Sequence, residues 1–316
     1  MSLTKIEFAV NMTCQKCVNT VRDSLLDLNG IENLDISLER GTVVVETNLP
    51  FTLIQEKIEK SGKKAVLKGY GENNYSAVTM LGGNSGYSVS NNIKGIIRFV
   101  QTVEGCIVDG TVDGLEPGQH GMHIHECGDI SKGCESVGEH FNPYNSIHGG
   151  PEDDIFKKHI GDLGNIEADN NGRALFRIIN QFLTVSHIIG RSLVITDKPD
   201  DLGKGNDQQS KIDGNSGKRL ACGIIARSSS LFQNTKKICA CDGLTIWDER
   251  ESTNSNQKEL TKYTETSNKI CINKNIKERT FGIIFVLFQD ESWSESHIIC
   301  CWQHCVQPLS DNAVYI

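Results

Sequence analysis

The sequence predicts a multidomain chain: an α+β βαββαβ domain, then a longer all-β barrel or sandwich, then a short irregular segment. Three observations predict it. Over the first 70 residues, hydrophobic periodicity switches back and forth between strand and helix spacing. From about Tyr75 helical periodicity disappears, and short β-rich runs alternate with turn-rich loops. Beyond residue 230 the composition turns polar and irregular.

Each element has a local reason. Residues 4–10 alternate like a strand, and Val18, Val21, Leu25 and Leu28 put one apolar face on a helix over 15–28. Strands follow around Leu34–Leu38 and Thr42–Glu46, with Arg40-Gly41 as the turn. A second helix fits Thr52–Lys60, and a last strand Lys64–Lys68. This order is the split βαβ, or ferredoxin-like, arrangement. The Gly and Asn residues of Gly69–Asn74 mark a linker. The β-rich runs beyond it are Ser76–Leu81, Ile93–Val103, Ile107–Val112, Gly172–Ile178, Ser192–Ile195 and Cys222–Ala226. Two long loops, Cys127–Asp162 and Asp197–Gly217, are candidates for function. The expected division is 1–71, 75–230, 231–250, and an extension over 251–316 that lacks periodicity.

Bulk properties narrow the function. The 316 residues, 38% hydrophobic and 23% charged, suit a soluble globular protein of two or three domains. A net charge of -8 argues against nucleic acid or an anionic membrane as partner. No apolar run reaches the ~20 residues of a membrane helix, and the N-terminus lacks the apolar core of a signal peptide. The twelve cysteines include close pairs at 14/17, 239/241 and 300/301, which favours thiol and metal chemistry in a reducing cytoplasm.

Cys14 and Cys17 stand between the first strand and the first helix. Two thiols three apart can grip one soft ion, and a helix N-terminus favours the thiolate. Cu(I) binding, a redox pair and half of a structural zinc site all fit that spacing. The second cluster is denser. Six of the nine histidines lie between His120 and Asp162, set among Gly, Pro and Asn. His123 and His125 are two apart on a strand, so both rings point to one face. His140, His148, His159 and Asp162 offer three nitrogens and one oxygen, a tetrahedral set for Zn(2+).

Residues 1–70, with Met12-Thr-Cys14-Gln-Lys-Cys17 in a βαββαβ frame, resemble a heavy-metal-associated domain, which implies Cu(I) at Cys14 and Cys17. Gly121-Met-His-Ile-His-Glu126, His140-Phe-Asn-Pro143, His148-Gly-Gly-Pro151, His159-Ile-Gly-Asp-Leu-Gly-Asn165, Asp200-Asp-Leu-Gly-Lys-Gly205 and Arg219-Leu-Ala-Cys-Gly223 resemble Cu/Zn superoxide dismutase over residues 75–227. That resemblance implies a Greek-key barrel. It implies copper on His123, His125 and His140, and zinc on His140, His148, His159 and Asp162, with His140 bridging. It makes Asp200 the acid linking the two metals through hydrogen bonds, Arg219 the guide for superoxide, and Cys134–Cys222 a disulfide. His120 and His187 match no ligand and are expected to be surface or loop histidines.

The chain departs from the dismutase pattern at Thr196, where the strand after Gly190-Arg-Ser-Leu-Val should carry a fourth copper histidine. A neutral hydroxyl is a poor copper ligand. Cys127 also replaces an aromatic residue in the loop that lines the dismutase dimer face. A metal-binding domain fused to a dismutase-like barrel short of one copper ligand is similar to the copper chaperones for superoxide dismutase. The segment Leu231–Arg250, with Cys239-Ala-Cys241, resembles that family's third domain. A disulfide between thiols so close is strained and readily exchanged, and the two can also hold Cu(I).

The resemblance thus implies a metallochaperone rather than an enzyme. It takes up Cu(I) at Cys14 and Cys17, docks an immature dismutase through Cys127–Gly128, Ile189–Gly190 and Ile225–Ala226, and passes on copper and a disulfide through Cys239 and Cys241. The implied partners are the dismutase as a heterodimer, a second copy when no client is present, and a copper transporter as donor. A dismutase with added copper domains and a copper buffer without a client are the alternatives. Cys300, Cys301, His304 and Cys305 form a further cysteine-rich cluster with no recognisable fold around it, after an apolar run at Phe281–Phe288.

Overall fold

The computed structural model describes residues 2–72, 75–83 and 85–235, together with Trp247. The segment carrying Cys239 and Cys241, and the extension with Cys300, Cys301, His304 and Cys305, lie outside the described residues.

The first lobe comprises β1 (Thr4–Val10), α1 (Gln15–Leu26), β2 (Ile31–Ser37), β3 (Thr42–Thr47), α2 (Phe51–Lys60) and β4 (Ala65–Tyr70). Its sheet runs β2-β3-β1-β4 with antiparallel neighbours. Ile6, Phe8 and Val10 of β1 and Val43 and Val45 of β3 are buried against Val18, Val21 and Leu25 of α1 and Ile54 and Ile58 of α2. The expected linker starts later than its composition suggests. Gly69 and Tyr70 continue β4, because Tyr70 pairs with Ile6 and its ring is fully buried.

The barrel follows as β5 (Ser76–Leu81), β6 (Tyr87–Ser88), β7 (Lys94–Thr102), β8 (Gly105–Asp113), β9 (Gly118–His125), β10 (Ser131–Cys134), β11 (Asp162–Ala168), β12 (Arg173–Asn180), α3 (Val185–Ile188), β13 (Ser192–Thr196), α4 (Ser210–Asp213), β14 (Arg219–Ile224) and β15 (Ala226–Arg227). The ten-stranded order is β15-β5-β7-β8-β12-β11-β9-β13-β14-β6. The step from β8 to β9 passes over β12 and β11, which is a Greek-key connection. β14 and β15 are separated only by Ile225, yet one pairs near one end of the order and the other at the opposite end. The sheet therefore curls round and closes. Inside it Ile97, Phe99, Val108, Met122, Ile124 and Leu193 are fully buried, each contributing roughly 1.5–3 kcal/mol of apolar transfer.

The chain leaves the barrel against the first lobe. Ser228 N donates to Ser76 O at 2.9 Å, Tyr70 N to Ser229 O at 3.2 Å and Leu231 N to Gly71 O at 3.0 Å. Phe232 N donates to the buried Glu7 carboxylate at 2.7 Å.

Candidate metal centres

The β1–α1 loop makes the first site. Cys14 caps α1 in extended backbone, and its Sγ lies 3.3 Å from that of Cys17, one turn into the helix. Cys14 is exposed and Cys17 is buried. The Cys17 thiol is brought down to about 6, first by the Thr13 backbone N–H, then by Cys14 and by the Lys63 ammonium. A thiolate is thus available at neutral pH, and two sulfurs on one short loop can hold a two-coordinate soft ion. Lys63 was not apparent from the sequence. It reaches the thiols because the α2–β4 turn runs beside the β1–α1 loop, where Asn11 N donates to Lys64 O at 3.1 Å.

The second site is buried in the barrel wall and the long loop after it. β9 carries His123 and His125; His140 forms an isolated bridge with His125. His148 and His159 come from the loop, and Asp162 opens β11 opposite His123. Asp162 Oδ1 lies 2.9 Å from His140 Nδ1, 3.0 Å from His148 Nδ1 and 3.3 Å from His159 Nδ1. One atom from each of His123, His140, His148 and Asp162 falls within 4.8 Å of the others. The His123 and His140 rings stack with centroids 4.1 Å apart, so the two halves of the cluster meet at His140.

Asp200 ties the cluster together from behind. His148 Nε2 donates to Oδ1 at 2.7 Å and His123 Nε2 to Oδ2 at 3.0 Å. Each of these bonds leaves the other ring nitrogen facing inward, which is how a hydrogen-bonded carboxylate orients a metal ligand. The buried Nδ1 of His123 and Nε2 of His125 have no hydrogen-bond partner, and Nδ1 of His148 and His159 face Asp162 Oδ1 without hydrogen-bond geometry. Orphaned buried nitrogens would be costly on their own, and metal ions would satisfy them. Burial and the two carboxylates set the electrostatics of the cluster. Burial opposes the charge on Asp162, but His140, His148 and His159 hold its carboxyl far below the usual range. Asp200 falls to about 2 against burial, through His123 and His148. Burial and then His123 lower His140 to about 3, and burial holds His125 well below the ordinary imidazole range. His148 rises to about 10 despite burial, because it sits between the Asp162 and Asp200 carboxylates.

Thr196 is the buried last residue of β13, its Oγ1 3.2 Å from both Gly121 O and Lys198 O. Its hydroxyl proton is engaged by backbone carbonyls. Arg219 is half-buried and donates to Cys134 O at 2.9 Å. Cys134 and Cys222 are joined in a disulfide, and Cys127 is an exposed free thiol. The three segments expected at the docking face are neighbours. Gly190 N donates to Ile225 O at 2.9 Å, and a Cβ on Gly128 would meet Gly190 O at 2.1 Å.

One expectation is corrected. His120 is a buried residue, not a surface or loop histidine. Its Nδ1 lies 2.8 Å from Thr196 O and its Nε2 2.8 Å from Glu116 O. It falls inside because it shares β9 with the metal histidines, in register with Ile166 of β11. His187 is exposed, as expected.

The fold and the sites define a class: a metal-handling protein that joins a thiol-bearing βαββαβ domain to a dismutase-like barrel. Residues 7–64 match the heavy-metal-associated domain, and residues 93–225 match copper/zinc superoxide dismutase. The copper chaperone for superoxide dismutase of Sus scrofa is 52% identical over 250 residues, 78% of this chain and 88% of the relative. That of Homo sapiens is 51% identical over 254 residues, 79% of this chain and 90% of the relative. Superoxide dismutase [Cu-Zn] 5 of Dictyostelium discoideum is 48% identical, but over only 43% of this chain. The chain belongs to the copper chaperone for superoxide dismutase family. Among the described residues, no helix is long and apolar enough to cross a membrane.

Proposed function

We propose that the chain works in the cytoplasm, takes Cu(I) from a copper transporter at Cys14 and Cys17, and delivers it to Cu/Zn superoxide dismutase. The observation that carries this reading is the paired, partly exposed Cys14–Cys17 sulfurs. They form a site from which a thiol-rich acceptor can remove an ion one ligand at a time. The division of labour follows the segments 1–71, 75–230 and 231–250. The second holds Zn(2+) on His140, His148, His159 and Asp162 as a structural ion. It docks the client as a heterodimer through Cys127–Gly128, Ile189–Gly190 and Ile225–Ala226, and pairs with its own copy when no client is present.

Thr196 supports the chaperone over the dismutase reading. With its hydroxyl turned to backbone carbonyls, His123, His125 and His140 are left without a fourth nitrogen, and Arg219 has no redox copper to serve. Cys239 and Cys241 act last. They deliver copper to the client and then, oxidised to a disulfide by molecular oxygen that is reduced to peroxide, are attacked by a client thiolate; a second client thiolate resolves the mixed disulfide, and the client leaves oxidised while Cys239 and Cys241 are left as two thiols.

The test is maturation of copper-free dismutase by the Cu(I)-loaded chain. Wild type is expected to yield active, disulfide-bonded client and Cys239→Ser/Cys241→Ser is not. Equal maturation by both would overturn the delivery route. Dismutase turnover by the purified chain alone, at the rate of the client, would overturn the chaperone reading.

A further inference from the structure

The outer face of β7, β8 and β12 is not built like a solvated barrel wall. Val100 and Ile107 are buried in the same apolar cluster as Phe8, Ile54 and Ile58 of the first lobe, with Ile96 and Ile179 against it. Beneath this contact lies a charged pair. The side chain of Arg177 on β12 is 5% exposed and that of Asp109 on β8 is 0% exposed, with Nη1 and Oδ2 3.4 Å apart. Asp109 Oδ2 accepts from Phe51 N at the start of α2 at 2.9 Å and from Tyr70 OH at 2.5 Å. Arg177 donates to Ser2 O at 3.1 Å, to Leu49 O at 3.2 Å, and to Thr4 Oγ1 and Tyr70 OH. All of these partners belong to the first lobe, and they come from separate loops and strands.

Burying a guanidinium and a carboxylate costs several kcal/mol per ion unless the pair is fully bonded. Here Asp109 Oδ2 and the Arg177 guanidinium take their bonding partners from the other lobe, while Asp109 Oδ1 stays buried without one. Lifting the first lobe away would leave both groups stripped of those partners beside an exposed apolar face. Thr52 and Thr111, whose hydroxyls are 2.8 Å apart, and Arg173 with Glu56 at 2.6 Å close the rim.

We infer that Arg177 and Asp109 are positioning residues for copper delivery: they lock the first lobe onto the barrel, so that Cys14 and Cys17 face the client from one fixed direction rather than from a swinging arm. The inference rests on the delivery reading above. Neither residue touches the metal; they act through the orientation of the lobe that does. Fixed orientation raises the probability of a productive encounter once the client has docked on the barrel.

The full zinc-loaded chain tests this, as wild type, Arg177→Ala and the isosteric Asp109→Asn. NMR relaxation gives the tumbling time of each lobe. Competition with a chromophoric chelator gives Cu(I) affinity at Cys14 and Cys17, sedimentation gives affinity for copper-free dismutase, and client activation gives the transfer rate. In wild type the two lobes are expected to share one tumbling time. In Arg177→Ala they separate while both stay folded, Cu(I) and client affinities hold within about twofold, and transfer slows on the order of tenfold. Asp109→Asn shifts the same readouts in the same direction by less, and it carries the test if Arg177→Ala fails to fold. A merely structural role would lower affinities and transfer together. Separate tumbling in wild type, or unchanged transfer by a variant with uncoupled lobes, would overturn the lock. A single tumbling time in a wild type that fails to activate the client would instead overturn the delivery reading and leave the lock standing.

Discussion

The two metal centres are built on opposite plans. Cys14 and Cys17 come from one loop, with one sulfur exposed and the other buried at a helix start. The histidine centre draws on β9, β11 and distant points of a long loop, and its side chains are almost wholly buried behind Asp200. A local, two-ligand, surface site can open by moving one side chain. A buried site assembled across the barrel can release its ion only if the loop between His140 and Asp162 comes apart. The contrast separates cargo from resident metal without reference to affinity.

That contrast can be broken most sharply at the thiols. Cys14→Ser/Cys17→Ser should weaken Cu(I) binding by the first lobe by about a hundredfold or more, since hydroxyls do not replace thiolates for a soft ion; chelator competition reads this directly, and the zinc content should be untouched. Next in size is Asp162→Ala. It removes the oxygen that three imidazoles share, and the chain should lose its zinc. With zinc at a thousandfold over its dissociation constant, wild type gains about 4 kcal/mol, so the zinc-dependent rise in melting temperature should vanish in the variant. A copper-loaded Thr196→His chain sharpens the comparison from the other side. It supplies a fourth nitrogen beside His123, His125 and His140, and dismutase activity should rise above the wild-type background in a standard superoxide assay.

The smallest effect belongs to the lobe contact. Burial raises the Asp109 carboxyl to about 6, against the pull of Tyr70, Arg177, the Phe51 N–H and Arg98. Its folded value lies above its unfolded value of about 4, so the folded chain holds the proton more tightly. The resulting stabilisation is fully present below about pH 4 and is lost as pH rises through about 6. Asp109→Asn should flatten that part of the stability–pH curve, by at most about 3 kcal/mol at 1.36 kcal/mol per unit. Urea unfolding at pH 4.5 and 7 measures it, and an unchanged slope would remove Asp109 as its source.

The parts legible in the sequence were the local ones. The βαββαβ order follows from side-chain spacing within 70 residues, and the metal motifs are short runs whose chemistry is contained in the run itself. What stayed hidden depends on distant pairing. Strand β11 is not legible in the sequence because Gly164 takes a positive φ of 82° and the register with β9 slips between Asp162 and Asn165, which breaks the alternation. The burial of His120 is equally hidden, because the β9–β11 pairing that places it and the Thr196 carbonyl that holds its ring lie far off in the sequence. The lobe contact joins Asp109 to Arg177 across 68 positions and Tyr70 to Arg177 across 107. The one available hint is the acid that follows Cys106-Ile-Val108 in a strand-like run.

The exit of the chain from the barrel sets a rule for shortening it. Ser229, Leu231 and Phe232 bond to Tyr70, Gly71 and Glu7, and Ser230 N donates to Gln233 Oε1 at 3.0 Å. Cutting after Arg227 would therefore strip an amide from a buried carboxylate and unpin a strand end far from the deleted residues. A deletion that isolates the contribution of Cys239 and Cys241 has to begin beyond Gln233, or it will report damage to the copper-loading lobe as a defect of the tail.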